Sequence, residues 1–320
     1  MSNSVSRFFT AIFHFFSTPF RGSAKVQPAE NASPPVISLT DDERRADMNA
    51  WLQQFKNLEA INATEDIPTQ RRGMYISWRA WNPAFTPLVQ ELHDFLSRIL
   101  LDMEGYPESL QEAHYAVQAA PHIPLLQQRL CLVQLENNDL EGASQTLQKL
   151  LAQNPDLLES SEVASLKGRL HRMLWQQNHQ RADLDAAQEA YTFGFEHNPE
   201  SYYLRLNAAE LMIPQGRVTE SEAEFKALDP VIRELIKTGR DASYWAHFSL
   251  GEAILGGASS HDAATARAAL DEYSYALNIC KPPPADRNWR SARDGAQRIV
   301  AFKNLDPKIY DNIQALRPLP

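Results

Sequence analysis

Along most of this chain, apolar residues return every three or four positions, the period of helices with one buried face. Thr40-Asp41-Asp42-Glu43 has the spacing of a capping box, and Met48, Trp51, Leu52, Phe55, Leu58 and Ile61 share one side of the helix it opens. Nearer the start, Phe9, Ile12, Phe13, Phe16 and Phe20 form an apolar stripe, broadened by Phe8 and Phe15, in a short helix predicted over 6–18 and ended by Pro19. Residues 22–39 are rich in Pro, Ser and Ala without a period and read as a linker. Residues 68–87 set Tyr75, Trp78, Trp81 and Phe85 beside Arg71, Arg72 and Arg79, either as the cap of a helical stack or as a binding patch. This divides the chain into a Phe-rich segment and linker (1–39), a helical cap (40–87) and a paired-helix region (88–320).

Within the last region three stretches close alike, at Pro121, Pro155 and Pro199, each with a small residue (Ser109, Ala143, Ala187) twelve positions earlier. The first two prolines lie 34 residues apart, the period of tetratricopeptide helix pairs; the third lies 44 further on, which implies an insertion near 156–167. The pairs fall at about 90–123, 124–157 and 168–201, with further pairs near 202–239 and 243–280 and a closing helix over 286–303. Thr219-x-x-Glu222 reads as a second capping box, and Asp229-Pro230 as the N-cap and first position of a new helix. In each pair a small residue is expected where the helices approach most closely: Ser97, Cys131 and, against expectation, Trp175. The predicted fold is all-α, a tetratricopeptide-like α-solenoid of antiparallel helix pairs with irregular caps.

Ala, Leu, Gln and Glu dominate the composition, in keeping with helix. A net charge of −9 excludes the basic excess of a nucleic-acid binder. Residues 1–29 differ: they hold Arg7, Arg21 and Lys25, no acid, and six of the fourteen phenylalanines. Such a segment suits an interfacial membrane helix, an organelle-targeting sequence or a partner-binding helix, and it is too short to span a bilayer. Only two cysteines, Cys131 and Cys280, are present, so a reducing, cytoplasmic setting is expected, with membrane association through residues 6–20 as the variant.

No sequence motif for catalysis stands out. The nine histidines form no HExxH and none sits beside a cysteine at ligand spacing; GxSxG, the P-loop and GxGxxG are absent. No cofactor and no metal are expected, and the chain reads as non-enzymatic. In tetratricopeptide pairs, fixed positions of each first helix face the concave side. Here they are Phe95 and Arg98, then Leu125, Gln128, Arg129 and Leu132, then Arg169, Arg172, Gln176 and His179, then Tyr203 and Asn207. Four arginines facing one groove would suit an acidic peptide or another protein segment; alternatively, each pairs with an acid on a neighbouring helix.

The stretch from Leu166 to Leu211 adds a family resemblance. Gly168-Arg169, Tyr191, Gly194-Phe195, Pro199, Tyr202-Tyr203 and Asn207 resemble the helical-repeat TRAF-binding region of apoptosis signal-regulating kinases and its stand-alone bacterial relatives. The resemblance continues more weakly through Tyr244-Trp245, Glu252-Ala253, Ala276 and Trp289-x-Ser291. It implies an all-α regulatory platform for protein partners, a signalling role. Leu204-Arg205 replaces the family's Pro-Gly after the tyrosine pair, and the kinase motifs themselves are missing. Two functions are therefore expected: an adaptor that binds a partner on its concave face, tethered through Phe8, Phe9, Ile12, Phe13, Phe16 and Phe20, or a membrane-associating effector whose amphipathic N-terminal helix is the active element.

Overall fold

Leu140, Leu147 and Leu150 lie on one side of their helix and are all buried, and the same arithmetic repeats down the chain. The computed structural model describes residues 90–102, 106–241, 243–258, 263–279 and 286–316, together with Ala50, Gln53 and Tyr75. The expectations for residues 1–39 lie outside the described residues, as do those for Thr40-Glu43, the aromatic–arginine stretch apart from Tyr75, Cys280 and Lys281–Pro284. Ala84–Pro320 forms one compact unit, to which everything below refers.

Among the described residues of this unit there are twelve α-helices and no strand. Five antiparallel pairs come first: α1 (Gln90–Asp102) with α2 (Tyr106–Ala119), α3 (Pro124–Glu136) with α4 (Leu140–Gln153), α5 (Ser161–Asn178) with α6 (Arg181–His197), α7 (Tyr202–Met212) with α8 (Val218–Lys237), and α9 (Tyr244–Gly257) with α10 (Ala263–Ile279). Two more helices follow, α11 (Asp286–Phe302) and α12 (Pro307–Ala315). First helices of successive pairs also touch, α1 on α3, α3 on α5 and α7 on α9, which is how a solenoid propagates.

Side-chain caps start several of these helices. Asp139 accepts from Gly142 N, Ser160 from Val163 N and Ser243 from Ala246 N. Within pairs, small residues twelve apart hold the helices close. Ser109 Oγ donates to Ser97 O at 2.7 Å, Ser221 Oγ to Ala209 O at 2.7 Å, and Cys131 Sγ to Ala143 O at 3.7 Å. Cys131 is therefore a packing residue, fully buried, and that burial pushes its thiol up to about 12. In a chain carrying Cys280→Ser, a thiol-specific disulfide reagent at pH 8 should leave Cys131 unlabelled until urea unfolds the protein. Labelling at the rate of a free thiol would contradict this packing.

Four expectations are corrected. In the third pair the close approach belongs to Gly168 and Ala164, not to Trp175. A Cβ at Gly168 would lie 2.6 Å from the Tyr191 ring, and one at Gly194 would lie 2.4 Å from the Ala164 Cβ. Helix α5 is 18 residues long against 13 for α3, and the inserted residues form a 3₁₀ turn (Pro155–Glu159) and this longer helix. Counting back from Pro199 therefore stops short of the crossing point. Thr219 caps nothing; the cap position is Arg217, held by Met212 O and salt-bridged to Glu220. Pro230 lies inside α8, which runs through it, and Asp229 pairs with Arg233 one turn on instead of capping. Finally, α11 is not the last helix: Asp306 caps α12 by accepting from Lys308 N.

Candidate functional site

The first helices of the pairs carry two kinds of position, open apolar ones and polar ones that are paired. At the N-terminal ends of α3, α7 and α9, the second residue of each helix is apolar and open: Leu125 is 56%, Tyr203 44% and Trp245 37% exposed. Trp245 is kept upright by Tyr244 and Phe248, whose ring centroids lie 5.3 and 6.0 Å away. Gln176 and His179, at the far end of α5, are exposed as well, and His179 ends that helix in a left-handed conformation at φ 55°. Between α3 and α7, α5 carries exposed Glu162 at the same register, so the apolar positions recur without being continuous.

Deeper in the face the polar residues are paired with one another. Arg98 and Arg129 both face Asp94, at 3.9 and 3.4 Å; Arg169 Nη1 donates to Glu136 Oε1 at 2.9 Å; buried Arg172 donates to Asn207 Oδ1 at 2.7 Å. Burial works to lower the Arg169 pKa, but Glu136 outweighs it and holds the guanidinium charged. Of the four expected arginines, Arg98 and Arg129 thus share one carboxylate, Arg169 has its own, and Arg172 is held by the neutral Asn207 amide. Gln128 and Leu132 are half-buried on α3, and the Arg98 guanidinium lies over the Phe95 ring, 6.0 Å from its centroid. His171 points to Asp183 at 3.4 Å, across the third pair.

Sequence reasoning missed a second set of residues because they meet only in three dimensions. Arg298 of α11 grips Glu210 of α7 with Nε and Nη2 at 2.5 and 3.1 Å, and Glu210 is 1% exposed. Beside this pair lies Glu252 of α9, whose carboxyl is pushed up to about 8, first by burial and then by the charge of Glu210. One signal was readable. Glu252 is the only carboxylate in the apolar helix Tyr244–Gly257. No group of His, Cys, Asp and Glu able to hold a metal occurs among the described residues, and no described helix is long and apolar enough to cross a membrane.

Residues 105–212, from α2 to the end of α7, match the model of the family Tetratricopeptide Repeats-Sensor, TPR-S. This stretch is a tetratricopeptide-like repeat array. Such arrays serve generally as protein-interaction scaffolds and are generally not catalytic. Among curated proteins no relative matches the chain. Two solved structures are similar to it. A thermophilic TPR protein of Thermus thermophilus is 18% identical, with a TM-score of 0.48 over 68% of this chain and 100% of its own. A tetratricopeptide repeat protein from Parabacteroides merdae is 13% identical, with a TM-score of 0.37 over 79% of this chain and 98% of its own.

Proposed function

We propose that this protein is a non-enzymatic scaffold that holds a protein partner on the inner face of its helix pairs. The observation that carries this reading is that the second residue of α3, α7 and α9 is apolar and open, Leu125, Tyr203 and Trp245. Exposed Leu and Trp side chains cost free energy in water, and covering them with a partner recovers it. The match of residues 105–212 to a repeat family described as a sensor supports a regulatory role, as does the resemblance of Leu166–Leu211 to the TRAF-binding region. The open positions themselves are apolar, which favours a partner that contributes apolar side chains there.

Site-specific photocrosslinking in the native cell tests the proposal. A benzophenone amino acid at position 125 or 203 should capture the same protein, and one at exposed Lys149 on the second helix of a pair should not. Capture from position 149 alone, or none from 125 and 203, overturns the inner-face reading. The N-terminal membrane tether is a separate element of the proposal. Flotation with liposomes should be lost on deleting residues 1–29, and equal flotation of both forms would remove the tether.

A further inference from the structure

Helix α11 does not continue the array as the others do. Each paired helix packs mainly on its sequence neighbours, whereas α11 reaches first helices from four of the five pairs. It packs on α9 and on α1. Its Arg298 holds Glu210 of α7, and Phe302 meets Trp175 of α5 with ring centroids 5.8 Å apart. Arg290 donates to the Tyr106 hydroxyl at the start of α2, and Lys303, just past the helix, donates to Gly256 O at 2.7 Å and to Glu222 at 3.0 Å. A helix that touches α1, α5, α7 and α9 lies along the inner face itself.

The way it lies there resembles a ligand in a groove. Trp289, Ala292, Ala296 and Ile299 recur at three- and four-residue spacing and are buried, while Ser291, Asp294 and Gln297 face water. Gly295 lets the backbone come down onto Glu252, since a Cβ there would fall 1.8 Å from Glu252 Oε1. The floor beneath supplies the Glu210 carboxylate, which Arg298 of α11 grips, and beside it the Glu252 carboxyl, on which Arg298 and Arg172 of α5 both bear. Without α11 the floor is apolar around Glu210 and Glu252, and Phe248 and Leu250 share a helix with Glu252. A buried ion pair can fix register, so a helix that brings a cation to Glu210 competes well for the place.

We propose, building on the scaffold reading above, that α11 is an internal occupant of the inner face, and that the partner displacing it is an amphipathic helix with an apolar stripe and a basic residue directed at Glu210 and Glu252. Such a partner repeats the α11 pattern, with an aromatic anchor followed nine positions later by arginine, as Trp289 is by Arg298.

The probe is a fluorescent peptide with the sequence of residues 286–302. Anisotropy should show it binding the full chain carrying Gly295→Leu at least tenfold more tightly than the wild-type chain, because that side chain evicts the internal helix. Adding Glu210→Gln to the variant, or Arg298→Glu to the peptide, should weaken binding at least tenfold. No binding to a variant that stays helical and whose α11 amides exchange freely overturns the proposal, and so does binding indifferent to Glu210. These failures leave the crosslinks from positions 125 and 203 untouched, so the scaffold reading is judged separately. If Gly295→Leu does not fold, hydrogen exchange of the wild-type chain decides: α11 amides should exchange at least a hundredfold faster than those of α9, through local release. Exchange of both helices at the same slow rate overturns the proposal.

Discussion

Replacing Arg298 with alanine should cost about 3–5 kcal/mol, the range for breaking one side of a buried ion pair. The reason is Glu210. Its carboxylate is 1% exposed, and both of its oxygens receive hydrogen bonds from the Arg298 guanidinium. With the guanidinium gone, that charge either stays buried without its partner or takes up a proton, and both cost free energy. Burial alone would lower the Arg298 pKa, yet Glu210 raises it well above its ordinary value, which reflects the same coupling seen from the other side. Adding Glu210→Gln to Arg298→Ala should restore more than half of the loss, because the stranded charge is removed. Urea unfolding followed by far-ultraviolet circular dichroism measures both variants. A loss below about 1 kcal/mol for Arg298→Ala would show that Glu210 is served by other groups. Arg205 gives the contrast: it pairs with Glu224 at 2.7 Å, but both side chains are more exposed, so Arg205→Ala should cost no more than about 1 kcal/mol.

The helix pairs were legible because their signals are local. A closing proline, a small residue twelve positions before it and a leucine stripe lie within one pair, and the first two pairs appear where their spacing puts them. The dipeptide Asp-Pro shows where local signals fail. At Asp306-Pro307 it starts a helix, because the chain has just turned through Asn304 at φ 52°. At Asp229-Pro230 it lies within one, because Phe225, Leu228 and Ile232 carry a single buried stripe across it, and burying those three outweighs the hydrogen bond that proline forfeits. The stripe decides, and the dipeptide alone does not. The inner face was legible as a set of positions and not as a set of charges. Arg169 and Glu136 are 33 residues apart, Arg172 and Asn207 are 35 apart, and Arg298 and Glu210 are 88 apart. Pairings at those separations leave no periodic trace, so counting arginines could not show which groups face them. The placement of α11 across that face was hidden for the same reason.

The second large effect is a fall in stability as pH rises from about 5 to about 8, carried by Glu252. Its carboxyl titrates at about 8 in the folded protein against an ordinary value of 4.5, because it is enclosed and lies beside the charge of Glu210, and Arg298 and Arg172 offset this only in part. Between those two values the folded chain holds a proton that the unfolded chain has released. Proton release on unfolding then gains from every rise in pH, and stability falls by up to about 1.4 kcal/mol per pH unit. Above the folded value both states are ionised and the curve levels out. The carboxylates of Glu220 and Asp241 shift the other way, held low by Arg217 and by Ser243 with Tyr202, so they act in the acid range. Glu252→Gln keeps the shape of the side chain and removes its titration. The variant should lose most of the slope between pH 5 and 8 and should be more stable than the wild-type chain at pH 9. Denaturation midpoints across that range measure it, and parallel curves for the two proteins would show that Glu252 is already ionised in the fold. Helix α11 is the element that presses on this carboxylate through Gly295, so the same titration weakens its seat: raising the pH should loosen α11 before the array itself.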